Sequence, residues 1–186
     1  METLVNDPVD NRRGVAFIAH PHPLHGGSMD NKVVQTLART AFELGMVAVR
    51  PNFRGVGQSE GQFDNGRGET ADMMDIIQFV MGHYEGLPIY LAGFSFGAYV
   101  QHRVAQQRAH EKLLLIAPAV NLYEFQPVPP STLFVHGDQD EIVPLAEAQR
   151  FAKACHARFS VIPHADHFFH KKLKELAAIV EDAWRY

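Results

Sequence analysis

Ile89-Tyr90-Leu91-Ala92-Gly93-Phe94-Ser95-Phe96-Gly97 decides the fold of this chain. An apolar run of strand character enters Gly-x-Ser-x-Gly, and Ala98 to Gln107, free of Gly and Pro, then reads as a helix. Strand, Gly-x-Ser-x-Gly and helix in that order form a nucleophile elbow. Its turn is so tight that strand and helix nearly touch at the flanks, where only glycine leaves room. Serine is then held on a strained backbone, with its hydroxyl projecting from the carboxyl edge of a sheet. The pentapeptide alone is weak evidence, and the flanking strand and helix carry the reading.

Working outward, short β-rich runs alternate with helical segments. Strands are expected at Val15–Ala19, Val47–Arg50, Ile89–Phe94, Lys112–Ile116, Thr132–His136 and Phe159–Ile162. They are nearly continuous apolar runs, as befits strands covered on both faces. Helices are expected at Asn31–Leu44, with Gly45 as its C-cap, then Thr70–Tyr84, Phe96–Gln107, Leu145–Cys155 and about Phe169–Trp184. Alternation of this kind implies a parallel sheet with helices on both faces. Function in such sheets collects at the carboxyl ends of the strands. The polar and glycine-rich motifs do fall there: after Ala19, Arg50, Phe94, His136 and Ile162. Pro118–Ser131, with Pro127, Pro129 and Pro130, reads as a plain loop too short to fold a cap over the site.

Composition narrows the function classes. At 186 residues, 46% hydrophobic and 20% charged, the chain is expected to fold as one globular domain, residues 1–186. A formal net charge of −4 with scattered Lys and Arg offers no basic stripe, so nucleic acid is not an expected partner. The single cysteine, Cys155, excludes an internal disulfide, fits a reducing cytoplasm and is expected to be a packed thiol. No apolar stretch approaches the length of a membrane span, and no signal-peptide pattern opens the chain. A cytoplasmic protein without membrane partners is the expectation.

A serine hydroxyl becomes a useful nucleophile only when a neighbouring base removes its proton, and that base is a histidine oriented by a carboxylate. Behind an elbow the chain order is Ser, then Asp or Glu, then His. After Thr132–His136 comes Gly137-Asp138-Gln139-Asp140-Glu141-Ile142-Val143-Pro144, and after Phe159–Ile162 comes Pro163-His164-Ala165-Asp166-His167-Phe168. Each loop offers the missing group in the right order. Asp138 or Asp140 and His164, His167 or His170 remain as choices on this ground alone.

From His20 to Phe169 the chain resembles small, lidless serine esterases of the α/β-hydrolase superfamily, near the dienelactone-hydrolase-like branch. The motifs that carry the resemblance are His20-Pro21-His22-Pro23-Leu24-His25-Gly26-Gly27, Asn52-Phe53-Arg54-Gly55-Val56-Gly57-Gln58-Ser59-Glu60-Gly61, the elbow, His136-Gly137-Asp138-Gln139-Asp140 and Asp166-His167-Phe168-Phe169. The resemblance implies a mostly parallel α/β-hydrolase sheet of about six strands without a cap domain. It implies Ser95 as nucleophile, His167 as base and Asp140 as its orienting carboxylate, with Asp138 structural, capping its own turn. Dienelactone hydrolases carry a cysteine at the elbow, so their substrate is not carried over.

Two backbone N–H donors should meet the oxyanion. The N–H of Phe96 is the first; matched to the family's H-G-x, that of His22 is the second, with Leu24 as runner-up, since Pro21 and Pro23 have none. The expected activity is hydrolysis of small or short-chain carboxylic esters through an acyl-enzyme, without metal or organic cofactor. A thioesterase or peptidase would use the same groups, and a non-catalytic ligand-binding protein of the same fold is the alternative from another class. The His20-x-His22-x-x-His25 and His164-x-Asp166-His167-x-x-His170 spacings invite a zinc reading, but neither supplies a full ligand set. Arg54–Ser59 is read as a structural loop rather than a phosphate cradle, Phe94 and Phe96 as packing residues, and Phe53, Phe168 and Phe169 as possible walls of an acyl pocket. Relatives usually begin with an antiparallel strand pair. Here only Met1–Gly14 precede the first core strand, with room for one short strand at about Thr3–Val5. Val47–Arg50 would then lie at or near a poorly protected sheet edge, expected to be covered by the N-terminal segment or by a second copy in a homodimer.

Overall fold

Period-2 alternation distributes each buried strand between two cores. The computed structural model describes residues 1–185. Its strands are β1 (Thr3–Asn6), β2 (Gly14–Ala19), β3 (Met46–Pro51), β4 (Ile89–Phe94), β5 (Lys112–Ile116), β6 (Leu133–Gly137) and β7 (Arg158–Ile162). The helices are α1 (Lys32–Glu43), α2 (Arg67–Met81), α3 (Phe96–Ala105), α4 (Leu145–Ala154) and α5 (Leu173–Arg185). Ala16, Ile18, Ala92, Phe94, Leu114 and Ile116 face α1 and α5. Val15, Phe17, Leu91, Leu113, Leu115 and Phe134 face α2, α3 and α4. Helices therefore cover both faces, as the uninterrupted apolar runs imply.

The strands form one seven-stranded sheet in the order β1-β3-β2-β4-β5-β6-β7, parallel except for the antiparallel β1–β3 pair. The chain thus has the α/β-hydrolase architecture with no separate cap domain. The seventh strand is β1, which lies on β3 with Val5 opposite Val49 and covers the edge singled out in the sequence. No second copy is needed to cover β3.

Glu2 fastens this arrangement. Its carbonyl accepts from Asn52 N–H, and its carboxylate accepts from Asn52 Nδ2 and Gln58 N–H at 2.7 and 2.8 Å. A Cβ on Gly57 would lie 2.2 Å from that carboxylate, so the glycines of the Arg54–Ser59 loop serve packing.

Element ends differ from the periodicity where side chains bind backbone. α2 begins at Arg67 rather than Thr70 because buried Glu69 accepts from the N–H groups of Asp64 and Gly66, both at 2.8 Å. α5 begins at Leu173 rather than Phe169 because Phe169 and Lys171 have positive φ, 54° and 61°. Leu44 caps α1, and Gly45 follows at φ 78°. Among the described residues, no helix is long and apolar enough to cross a membrane. Cys155 is buried at the end of α4.

Candidate active site

The elbow forms where β4 runs into α3. A Cβ on Gly93 would lie 2.2 Å from the Gly97 carbonyl oxygen, and one on Gly97 would lie 2.3 Å from that of Ala19. Strand and helix approach so closely that both positions exclude any side chain. Ser95 sits between them at φ 55°, ψ −114°, a left-handed backbone that non-glycine residues rarely adopt. Its N–H bonds the Ile116 carbonyl of β5 at 2.9 Å, which anchors the strained turn.

His167 reaches Ser95 from the loop after β7. Its Nε2 lies 3.0 Å from Ser95 Oγ, and its Nδ1 lies 2.7 Å from Asp140 Oδ2. The carboxylate accepts the Nδ1–H, leaving Nε2 free to accept from the serine hydroxyl. The three side chains chosen from sequence are therefore brought into one hydrogen-bonded chain, with Ser95 9%, Asp140 9% and His167 4% exposed.

Asp140 is held by every donor within reach. Its Oδ1 accepts from the N–H groups of Ile142 and Val143 at 2.9 and 2.8 Å. Its Oδ2 also faces His136 Nε2 at 3.2 Å, whose N–H is shared with the Val143 carbonyl at 2.9 Å. Burial pushes the carboxyl toward the neutral form, but His136, His167 and the Val143 N–H outweigh it and hold Asp140 well below the usual carboxylate range. His136 was not singled out as a site residue. Its place at the end of a strand feeding the acidic loop is the signal that could have marked it.

The two loops are joined near the site. Asp138 accepts from His164 N–H at 2.6 Å, so it braces the histidine loop rather than its own turn. Gln139 N–H bonds the Ala165 carbonyl at 3.0 Å. Exposed His170 pairs with Asp166 at 2.6 Å, and exposed His164 contacts Gln139, so neither approaches Ser95.

The Phe96 N–H opens α3, where no intrahelical carbonyl can meet it and the helix end is electropositive. The His22 N–H has no hydrogen-bond partner among the described residues, whereas the Leu24 N–H is taken by His22 Nδ1 at 3.2 Å. Both His22 and Phe96 line the cavity that contains Ser95 and His167.

His20 holds the loop beneath them. Its Nε2 accepts from Phe53 N–H at 2.9 Å, and its Nδ1–H donates to the Pro21 carbonyl at 2.7 Å. Burial lowers its pKa to about 4, so the ring stays neutral. With both nitrogens engaged, His20 cannot ligate a metal beside His22 and His25. Among the described residues, no group of three His, Cys, Asp or Glu is placed to hold one.

The cavity measures about 680 Å³. Phe96, Tyr123, Leu122, Ile142, Phe168, His22 and Asn65 form much of its wall. Of the three phenylalanines considered for an acyl pocket, Phe168 lines it, while Phe53 and Phe169 are fully buried in the cores. Phe94 packs against the His167 ring at 5.1 Å, and Phe96 against Phe53, Phe63 and Tyr123. Leu122 and Tyr123 come from the Pro118–Ser131 loop, which reads as a bare connector. Two bulky apolar residues in the loop that leaves the carboxyl end of β5, at the functional edge, were the available signal.

A strained elbow serine, hydrogen-bonded to a histidine at the carboxyl edge of this sheet, defines an α/β hydrolase. Residues 13–131 match the family described as serine aminopeptidase, S33, and the chain belongs to this α/β-hydrolase family. It is similar to an α/β serine hydrolase without lid from Xanthomonas campestris, XC6422: 36% identity, TM-score 0.93, covering 98% of this chain and 87% of that one. An α/β serine hydrolase homologue from Coxiella burnetii is 41% identical, with TM-score 0.88, covering 97% of this chain and 89% of that one. The uncharacterized protein RP471 of Rickettsia prowazekii (strain Madrid E) is 33% identical over 183 residues, 90% of this chain and 77% of its own length.

Proposed function

We propose that the protein is a serine hydrolase of carboxylic esters that works through an acyl-enzyme. The observation that carries the proposal is the continuous chain from Ser95 Oγ to His167 Nε2 (3.0 Å) and from His167 Nδ1 to Asp140 (2.7 Å), opening on a cavity. As the substrate carbonyl is attacked, His167 takes the serine proton and becomes an imidazolium, which Asp140 stabilises from behind. The oxyanion is received by the N–H groups of Phe96 and His22. Removing one such donor typically costs about 10²–10³ in rate. His167 then passes its proton to the leaving alkoxide. Water, deprotonated by the same imidazole, attacks the acyl-enzyme and releases the acid and Ser95.

Labelling by a fluorophosphonate probe, together with turnover of p-nitrophenyl esters and matched thioesters, tests this reading. Both labelling and turnover should disappear in Ser95→Ala. Hydrolysis at no more than the buffer rate by both wild type and Ser95→Ala, with no labelling, would leave only a binding protein on this fold. Equal turnover above that rate would remove Ser95 from the chemistry.

A further inference from the structure

The walls of the cavity above Ser95 restrict what can enter it. None of the lining residues is Asp, Glu, Lys or Arg. Leu122, Ile142 and Phe168 line it while remaining 64%, 47% and 41% exposed. An isolated exposed leucine needs no explanation, but three large apolar side chains from three different loops facing one opening do.

The rim is held in place. Asn121 Nδ2 donates to the Ile142 carbonyl at 3.2 Å, tying the loop that carries Leu122 to the loop that carries Asp140. Ile142 N–H in turn bonds Asp140 Oδ1 at 2.9 Å. Phe168 N–H bonds Asp166 at 3.1 Å, and the Phe168 ring packs edge-on against Phe94 at 6.0 Å.

The family's description names an aminopeptidase. A substrate of that kind brings a free α-ammonium, which must find a carboxylate when it leaves water. This cavity supplies none. Glu69, near His22, is fully buried, with its oxygens bound by the N–H groups of Asp64 and Gly66. What faces the opening instead is the positive end of α3 and the imidazoles of His22 and His25.

We propose that the substrate is an uncharged ester carrying an apolar group of several carbons, gripped by Leu122, Ile142 and Phe168, and that a free α-ammonium is excluded. The proposal rests on the serine-hydrolase reading above. It also revises the short-ester expectation drawn from the missing cap: the rim loops supply the apolar cover, and about 680 Å³ is far more than an acetyl group fills.

Two measurements test it. The first is kcat/KM for p-nitrophenyl esters of lengthening acyl chain, in wild type and in Leu122→Asp/Ile142→Asp, each normalised to its own acetyl ester. Wild type should gain up to about fourfold per methylene over the first few carbons, and the double variant should lose most of that slope. The second compares leucine methyl ester with methyl 4-methylpentanoate, the same skeleton without the amine. The amine-free ester should be preferred by at least about tenfold, although the ammonium makes its rival chemically more reactive.

An acetyl ester hydrolysed best, a slope unchanged in the double variant, or a preference for the leucine ester overturns the proposal. If acetyl turnover is nonetheless lost in Ser95→Ala, the hydrolase reading survives. If no ester is cleaved and Ser95 is not labelled, both fall together.

Discussion

Replacing Asp140 by Asn tests the site through four hydrogen bonds whose donors all point at one carboxylate. Ile142 and Val143 N–H meet Oδ1, while His167 Nδ1 and His136 Nε2 meet Oδ2. An amide of the same shape has one oxygen and one NH2. With the oxygen toward the histidines, the NH2 would face two fixed backbone donors, at roughly 1–3 kcal/mol for each buried donor left unmet. With the NH2 toward the histidines the cost is smaller, because His136 keeps the Val143 carbonyl as acceptor at 2.9 Å. His167 then adapts by changing tautomer: Nδ1 accepts from the amide, and Nε2 carries the hydrogen. That hydrogen points at Ser95, and the ring can no longer take the serine proton. A wrong-tautomer histidine of this kind lowers kcat about 10⁴-fold, close to 5 kcal/mol of lost transition-state stabilisation. Steady-state hydrolysis of a p-nitrophenyl ester, with the rate of fluorophosphonate labelling beside it, measures the loss near neutral pH. If Asp140→Asn kept more than about a tenth of wild-type kcat, the tautomer argument and the role given to Asp140 would both be wrong.

Other perturbations separate the remaining parts. His22→Pro deletes one N–H at a φ of −54° that proline accepts, and it should lower kcat by about 10²–10³. His22→Ala, which keeps the N–H, should lose far less; equal losses would show that the imidazole rather than the backbone acts there. Gly97→Ala puts a Cβ 2.3 Å from the Ala19 carbonyl, so the elbow must open. Activity should fall with a lower melting temperature, and a variant of unchanged activity and melting would refute the close-approach account. His20 is neutral in the fold with a pKa of about 4, against an ordinary value of 6.5. Between those values the unfolded chain binds a proton that the fold refuses, so stability present near neutrality falls as pH drops through the window, by up to about 3 kcal/mol. Urea unfolding at about pH 7 and about pH 4.5 should show that part of the slope missing in His20→Gln, and parallel losses in the two proteins would contradict it.

The parts legible in sequence were those written in local chemistry. The central strands are nearly continuous apolar runs because both of their faces are covered by helices. Ser95, Asp140 and His167 could be ordered because each follows the carboxyl end of a strand, β4, β6 and β7 in turn. What did not show was side-chain reach. Nothing in the spacing of Phe53, Phe168 and Phe169 says that the first and last turn into the cores while the middle one faces the cavity. Phe169 sits at φ 54°, an irregular backbone that no helical or strand period describes. His136 was missed although it lies at the end of the strand that feeds the acidic loop, because a histidine in a buried strand reads as core. The return of Asp140 to within 3.2 Å of it is a matter of side-chain reach. The N-terminal segment was readable as one short strand and as one of two candidate covers for the Val47–Arg50 edge, the one that β1 provides. What its spacing did not show is that Glu2, beside that ladder, accepts from Asn52 and Gln58 far along the chain.

The distribution of charge around Ser95 connects the catalytic proposal to the substrate proposal. The chain carries 21 acidic residues against 17 basic ones, yet none of the acidic side chains lines the cavity. Asp140, the carboxylate that the relay requires, is fully buried at its side chain and stands behind His167. Its charge is spent on the donors that surround it, so its field acts mainly on the imidazole rather than on an incoming group. Ahead of the serine lie N–H groups, a helix N-terminus and imidazole rings. This polarity favours charge that develops negative at the carbonyl and positive at His167, which is the pattern of acyl transfer to a serine. The same polarity offers nothing to a cation already present on the substrate. Placing a carboxylate at the rim, as in Ile142→Asp, should therefore act in two directions at once: weaker use of long apolar chains and a relative gain for the leucine ester. A loss of both in the same proportion would mean that the rim supports the loop and does not select the substrate.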